Sequence, residues 1–286
     1  MREFYYGGQA VIRGVMIRGR QYMVVALRRL NGDISVFKEP IPSFFSRWRR
    51  FPLIRGFVVL IETAYLGIKA LMLSADVLAR DEGEEVGKGF WYLSLLVGIF
   101  LGIALFIILP LFLAGFLERM FELTPLWGNL LDGLLRILIF LLYLGAITLI
   151  PSIKEVLAYH GAEHKVVNAY EHGEELSRDK VKPFSVFHMR CGTGFILLVF
   201  IIALIVFPFL GKGSLPVRLA ERIVIFPLIA VLSYEIIRFS AKNRFLSLLL
   251  KPLSVLQFFM TREPDDEKIE VAIKALREAI SLDKPS

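Results

Sequence analysis

Three of the chain's four histidines fall within the fifteen residues YHGAEHKVVNAYEHG, positions 159 to 173. His160 and His164 are four residues apart, so a helix projects both imidazoles from one face, where they could chelate one divalent ion. Glu163 lies beside them and could accept a proton from a metal-bound water. The pattern therefore predicts metal-assisted hydrolysis, with zinc as the preferred ion and Glu163 as the catalytic base.

The order H-x-x-E-H is the one that inverzincin metalloproteases use for two zinc-binding histidines and a general base. A zinc site needs further ligands, and two sets are available. His188 and Cys191, in the stretch HMRCG, would complete four protein ligands and a structural site. Glu235 would instead give two histidines, one glutamate and an open position for water, the catalytic pattern. We favour His188 and Cys191, because Glu235 has a ready ion-pair partner in Arg238.

Other interpretations of these residues need no metal. His160 and His164 could be ordinary polar residues at the end of a membrane helix. His172 precedes Gly173 and two acids, which is typical of a solvated turn. Glu171 could orient a histidine ligand or be surface charge.

The segments that must position these residues are strongly apolar, with 56% hydrophobic and only 21% charged residues in 286. This composition predicts a mainly α-helical integral membrane protein. About four transmembrane helices are expected, at Phe90 to Phe116, Ile137 to Ile153, Thr193 to Leu210 and Ile223 to Ile237. Arg136, at the start of the second window, is expected to snorkel to the membrane surface.

Charge predicts the orientation. Residues 1–55 hold 11 Lys and Arg against 3 acids, a net charge of +8 (11 − 3). The positive-inside rule places this segment in the cytosol, and four crossings return the C-terminal tail to the same side of the cytoplasmic membrane. Such a basic surface binds anionic lipid headgroups rather than nucleic acid. A second copy of the chain is the other partner considered, as a homo-oligomer. The single cysteine, Cys191, excludes an internal disulfide.

Between Pro52 and Arg80, four charged residues recur every seventh position, and we call them the stripe: Arg55, Glu62, Lys69 and Asp76. Seven residues are close to two helical turns, so the stripe follows one side of a helix over about 31 Å. We expect an amphipathic helix at the membrane interface, with the stripe facing water or a partner subunit. Glu62→Gln would then cost under about 1 kcal/mol.

The N-terminal segment predicts a β-hairpin around Asn31-Gly32-Asp33, with further strands in the glycine-rich GGQAVIRGVMIRG. The C-terminal segment predicts an amphipathic helix after Pro264 with apolar residues on one face. The expected organisation is a cytosolic β segment (1–51), the interfacial helix (52–80), transmembrane helices 1 and 2 (90–153), a cytosolic His/Glu loop (154–191), transmembrane helices 3 and 4 (192–240) and a cytosolic tail with the amphipathic helix (241–286).

Five stretches together resemble the YqhQ family of bacterial membrane proteins: GGQAVIRGVMIRG, YHGAEHKVVNAYE, HMRCGTGF, SYEIIRF and REPDDEKIEVAIKAL. The resemblance extends from about Gly7 to Ala279. The family is described as a predicted metal-dependent enzyme and as a domain of unknown function, which implies a metal at His160 and His164. The chain departs from the family at Arg13, where an acid is expected, and at Arg20, where proline is usual.

Two classes of function are consistent with these patterns. One is a membrane-embedded metal-dependent hydrolase with a cytosol-facing zinc site. The other is a non-enzymatic channel, transporter or assembly factor with a structural metal or none. The number of protein ligands distinguishes them, since three leave room for a water and four do not.

Overall fold

The computed structural model describes residues 4–49, 51, 54–188, 191–210, 213–240 and 243–283. The chain divides into two compact units. The first combines Met1–Gly87, Thr148–Met189 and Gln257–Ser286, and the second combines Lys88–Ile147 and Arg190–Leu256. The α-helices among the described residues are, in chain order, α1 (Ser43–Trp48), α2 (Arg55–Asp81), α3 (Lys88–Ile103), α4 (Leu109–Met120), α5 (Pro125–Ile147), α6 (Pro151–Glu171), α7 (Arg178–Val181), α8 (Gly192–Val206), α9 (Leu215–Ser240), α10 (Arg244–Leu250), α11 (Gln257–Met260) and α12 (Asp266–Asp283).

The first unit contains a four-stranded antiparallel sheet in which each strand pairs with the next. Its strands are β1 (Gly7–Val11), β2 (Gly14–Arg18), β3 (Tyr22–Arg28) and β4 (Ile34–Pro40). The predicted hairpin is confirmed, because the Asn31-Gly32-Asp33 turn joins β3 to β4 and Gly32 has a φ of 92°. Only glycine adopts this left-handed backbone at no steric cost.

Helices cover both faces of the sheet, so its strands carry apolar residues on both sides. One face packs against α6 and α12 through Val15, Ile17, Val24 and Ala26. The other packs against α2 through Val11, Met16, Met23, Val25 and Leu27. The predicted C-terminal helix is also confirmed, and Ile269, Ala272 and Leu276 of α12 are fully buried. The first unit is therefore a three-layer α/β/α arrangement.

The expected position of the stripe was wrong, because α2 turns at least half of it toward protein. Glu62 is only 2% exposed and forms ion pairs with Arg18 of β2 at 2.9 Å and with Arg49 at 3.2 Å. Lys69 binds Glu39 of β4 at 2.9 Å. The seven-residue period correctly indicated a single charged side, but the residues opposite that side belong to the sheet.

Glu62→Gln is now expected to lower the free energy of unfolding by about 2 kcal/mol, because it leaves two arginines without their buried carboxylate. Chemical denaturation of the purified protein measures this. Asp76→Asn is the matched control, since Asp76 is 32% exposed and pairs with the exposed Arg80, so its loss should cost under about 0.5 kcal/mol. Equal effects of the two substitutions would contradict a buried role for Glu62.

The second unit is a bundle of apolar helices. A π-helical turn, Ala104–Ile108, joins α3 to α4 in one continuous run. Among the described residues, five helices of the chain are long and apolar enough to cross a membrane: Arg55–Asp81, Gly89–Met120, Pro125–Ile147, Gly192–Phe209 and Pro216–Ser240. The mainly helical class with several apolar helices and a small N-terminal sheet is therefore confirmed.

The second predicted window, Ile137 to Ile153, was misplaced. Its helix α5 begins at Pro125 and ends at Ile147, and Pro151 starts the next helix, α6. Arg136 consequently lies in the middle of α5, is 1% exposed, and pairs with Asp132 at 3.1 Å. The prediction that Arg136 snorkels to the surface was wrong.

Candidate metal centre

Helix α6 presents two different faces along its length, and the segment expected to be a His/Glu loop is thus helical over its first half. Tyr159, Ala162, Val166 and Ala169, spaced three and four apart, pack into the core of the first unit. On the adjacent side, His160, His164 and Asn168 are each one turn apart, which places their polar side chains in a row. The apolar row anchors α6, and the polar row is the candidate site.

Two segments of the first unit run along this polar row. The side chain of Asn168 donates hydrogen bonds to the carbonyls of Ser185 at 2.9 Å and Phe187 at 3.0 Å, which holds residues 185–188 against α6. On the other side, the backbone N–H of Arg262 donates to the carbonyl of Leu157 at 3.0 Å. The site is therefore formed by three stretches that are distant in sequence.

Gly161 allows the segment around Arg262 to lie close against α6. A Cβ at this position would lie 2.0 Å from the carbonyl oxygen of Arg262, a distance that no real Cβ contact shows. Only glycine has no Cβ, so the backbone of residues 260–262 can lie directly on α6. The glycine inside the H-G-A-E-H stretch is thus part of the architecture of the site.

Hydrogen bonds define which nitrogen of each histidine is basic. His160 Nδ1 lies 2.6 Å from the carbonyl oxygen of Met260, and His164 Nδ1 lies 2.5 Å from that of Val186. A carbonyl oxygen only accepts, so both Nδ1 atoms donate and the lone pair of each neutral imidazole is on Nε2. This is the arrangement found in metal-binding histidines, in which a backbone carbonyl orients the ring.

His188 is brought to the same place by a buried glutamine. Gln257 accepts from the backbone N–H of His188 at 2.8 Å and donates to its carbonyl at 2.9 Å. The ring centroids of His164 and His188 are 5.6 Å apart, and those of His160 and His164 are 4.4 Å apart. Zinc–nitrogen bonds of about 2.0–2.1 Å in tetrahedral geometry place ring centroids about 5 Å apart. The two neighbouring pairs, His160 with His164 and His164 with His188, are therefore each spaced about as two ligands of one ion would be.

Two carboxylates adjoin the histidines. Glu163 Oε2 lies 3.6 Å from His164 Nε2, the atom that would face a metal, and both side chains are buried. Glu171 Oε2 lies 3.4 Å from His188 Nε2. Burial lowers the pKa of His188 below its ordinary value, although the negative charge of Glu163 opposes the shift. His188 is therefore neutral at pH 7, the form that binds metal.

The other predicted residues, His172, Cys191 and Glu235, have local contacts of their own. His172 is exposed and caps the end of α6 through the carbonyl of Asn168 at 2.7 Å, which agrees with the predicted turn. Cys191 belongs to the second unit, where it precedes α8 and its Sγ lies 3.2 Å from the hydroxyl of Thr193. Glu235 is also in the second unit, and its predicted ion pair with Arg238 is present at 3.8 Å. Met189 and Arg190 of the HMRCG stretch lie outside the described residues.

Sequence reasoning did not identify Gly161 or Gln257. Gln257 is a single amide in the apolar stretch VLQFF, and a polar residue in such a setting needs a buried hydrogen-bond partner. That signal could have identified Gln257 as a structurally important residue. It could not have shown that His188 is its partner.

Comparison with known proteins supports the resemblance noted from the motifs. The family described as "Protein of unknown function (DUF1385)" matches residues 51–282. The chain is 31% identical to the "Uncharacterized protein YqhQ" of Bacillus subtilis (strain 168) over 296 aligned positions, which cover 97% of this chain and 93% of the relative. No solved structure matches significantly. The chain therefore belongs to the DUF1385 family and to the family of YqhQ.

Proposed function

We propose that this protein is a membrane-embedded, metal-dependent hydrolase whose divalent ion, zinc by the preference of imidazole, is bound by His160, His164 and His188. The observation that supports the proposal most is the pair His160 and His164, both oriented by backbone carbonyls and lying beside the buried Glu163, with the ring of His188 5.6 Å from that of His164.

The ligand count distinguishes an enzyme from a structural site. Three histidines leave one tetrahedral position for water, as in zinc enzymes with three protein ligands. Cys191, which the sequence predicts as the fourth ligand, would close that position. In that case the substrate or water would have to displace a protein ligand before any reaction.

The surrounding residues have distinct roles in the proposed reaction. A bound zinc ion lowers the pKa of a coordinated water to about 7. Glu163 would accept the proton of that water, a role supported by the 3.6 Å between its carboxylate and Nε2 of His164. Glu171 lies 3.4 Å from Nε2 of His188, and by accepting a hydrogen bond from that nitrogen it would leave Nδ1 to bind the ion.

We further infer that the first unit lies at the membrane surface, with α2 along the interface rather than across the bilayer. Residues 62–81 of α2 lie against the sheet through Glu62, Gly67, Leu66 and Lys69. The edge strands of an open sheet cannot lie in hydrocarbon, where their backbone groups find no partner. The outer side of α2 exposes Ile61, Tyr65 and Leu71, which suits contact with lipid. The basic segment 1–55 would bind anionic headgroups of the cytoplasmic membrane, and both termini would be cytosolic.

Cobalt substitution tests the metal site and its ligand count together. Protein stripped by a chelator should bind one Co²⁺ per chain and develop visible d–d absorption. A thiolate–cobalt charge-transfer band in the near ultraviolet, lost in Cys191→Ser, would show that Cys191 binds the ion and would contradict a site made of three histidines. Its absence, with unchanged d–d bands in Cys191→Ser, is the expected result. Failure to bind cobalt or zinc at one equivalent would reject the proposal.

The catalytic role of Glu163 is tested with ester, amide and phosphodiester substrates in parallel. Glu163→Gln should retain the metal and lower the hydrolytic rate about 100-fold or more, because the amide cannot accept a proton. A Glu163→Gln protein as active as the wild type would exclude Glu163 as the base.

A further inference from the structure

The second unit contains a group of charged residues inside its apolar bundle. Asp132 and Arg136 of α5 and Arg222 of α9 are each at most 1% exposed. Both guanidinium groups bind the same carboxylate, Arg136 at 3.1 Å and Arg222 at 3.3 Å. Charged residues within apolar helices are costly and usually functional. We call these three residues the buried arginine pair and its aspartate.

These three residues carry an excess positive charge. Two guanidinium groups face one carboxylate, so the fully buried set has a net charge of +1 (2 − 1). A further carboxylate, Glu221, forms an ion pair with Arg222 Nη1 at 3.6 Å, too long for a hydrogen bond, and since its side chain is 32% exposed it offsets this excess only in part. An isolated positive charge in a low-dielectric interior is unfavourable, and an anion beside it would be attracted strongly.

The same two arginines have N–H groups that donate no hydrogen bond to the described residues. Nε and Nη1 of Arg136 and Nη1 of Arg222 are buried and have no hydrogen-bond partner among the described residues. Phe207 and Phe226 lie 4.9 Å from the guanidinium carbon of Arg136, and Phe207 lies 4.4 Å from that of Arg222. The rings pack against the guanidinium groups but supply no oxygen that could accept from their N–H groups. These N–H donors therefore still lack acceptors.

Polar residues connect these arginines to one end of the bundle. Asn129 accepts from Arg222 at 2.8 Å and from Arg218 at 3.2 Å, and Arg218 pairs with Glu118 at 2.9 Å near the end of α4. Arg136 lies eleven residues after the start of α5, about 16 Å along that helix. A continuous row of polar side chains thus reaches from the end of the bundle into its interior.

We propose that the buried arginine pair binds an oxyanion of the phosphate type, which enters past Arg218 and Asn129. The planar donor fork of arginine matches two oxygens of such a group. The group could come from free phosphate or from a lipid headgroup, because both present the same oxygens. The site is separate from the histidines of the first unit and does not depend on the proposed hydrolase.

Thermal unfolding in nanodiscs at constant ionic strength tests the proposal. In phosphatidylcholine discs, replacing gluconate by phosphate should raise the unfolding temperature saturably, by about 5 °C at about 100 times the dissociation constant. If phosphatidylglycerol discs produce the rise without phosphate, the headgroup is the source. No rise in either disc would overturn the site, and an equal rise with chloride would overturn an oxyanion.

Substitutions test whether the buried arginine pair causes the anion-dependent rise in unfolding temperature. Arg136→Gln leaves the neutral Asp132–Arg222 pair, so the protein should stay folded in gluconate and lose the anion-dependent rise. Asp132→Asn increases the positive excess, so it should unfold at a lower temperature in gluconate and gain a larger rise. Arg238→Gln, in the same helix as Arg222 but 45% exposed, should respond like the wild type. An undiminished rise in Arg136→Gln would overturn the proposal, and if that variant does not fold, a smaller rise in Asp132→Asn would do so.

Discussion

Alanine at both His160 and His164 is expected to reduce bound zinc from about one ion per chain to background, because the two imidazoles supply two of the protein ligands. Their ligand nitrogens lie within 4.8 Å of each other, close enough to share one ion. Elemental analysis of the purified protein measures the loss. Neither ring belongs to the apolar row of α6, so the fold should persist.

His172→Ala is the matched control, since His172 is exposed at the end of the same helix and should leave zinc unchanged. Unfolding temperatures compared after chelation separate a lost ligand from a lost fold. The double variant should unfold somewhat below the chelated wild type, because it also loses the hydrogen bonds of His160 and His164 to the Met260 and Val186 carbonyls, and chelation should not lower its unfolding temperature further. Stoichiometric zinc in the double variant would eliminate the site and the main support for an enzyme.

Gly161→Ala is expected to lower the free energy of unfolding by about 3 kcal/mol. The new Cβ would lie 2.0 Å from the Arg262 carbonyl oxygen, so residues 260–262 must move away from α6. That movement weakens the hydrogen bonds His160–Met260 and Arg262–Leu157, each worth about 1 kcal/mol, and adds overpacking of about 1–3 kcal/mol. The better helix propensity of alanine returns only about 1 kcal/mol.

Chemical denaturation measures this change, and zinc titration should show weaker binding because His160 loses the carbonyl that orients it. Gly98→Ala in α3 is the control, since nothing lies within 4 Å of a Cβ there. It should be neutral or slightly stabilising. A Gly161→Ala protein with wild-type stability and zinc affinity would contradict the close backbone approach.

Local signals were sufficient for several parts of this protein. The four-residue spacing of His160 and His164 predicts one helical face regardless of what the helix packs against. The Asn31-Gly32 turn predicts its hairpin because its backbone conformation depends on glycine itself. The apolar face of α12 and the ion pair of Glu235 with Arg238 are likewise properties of residues close in sequence.

Contacts between distant residues required the tertiary structure. The heptad spacing of α2 predicts that Glu62 lies on one side, but only the sheet shows that this side faces Arg18 instead of water. Hydropathy placed Arg136 at a helix end, because the window average excludes the polar turn containing Asn129 and Asp132 that α5 includes.

The candidate site shows the same division between sequence and structure. Sequence supplied the histidines and Glu163, because ligand chemistry depends on residue type and local spacing. The tertiary structure supplied Gln257, which holds His188 from 69 residues away, and the Met260 carbonyl, which orients His160 from 100 residues away. Periodicity carries no information about such partners, since it describes which side of an element is apolar and not which segment of the chain will cover it.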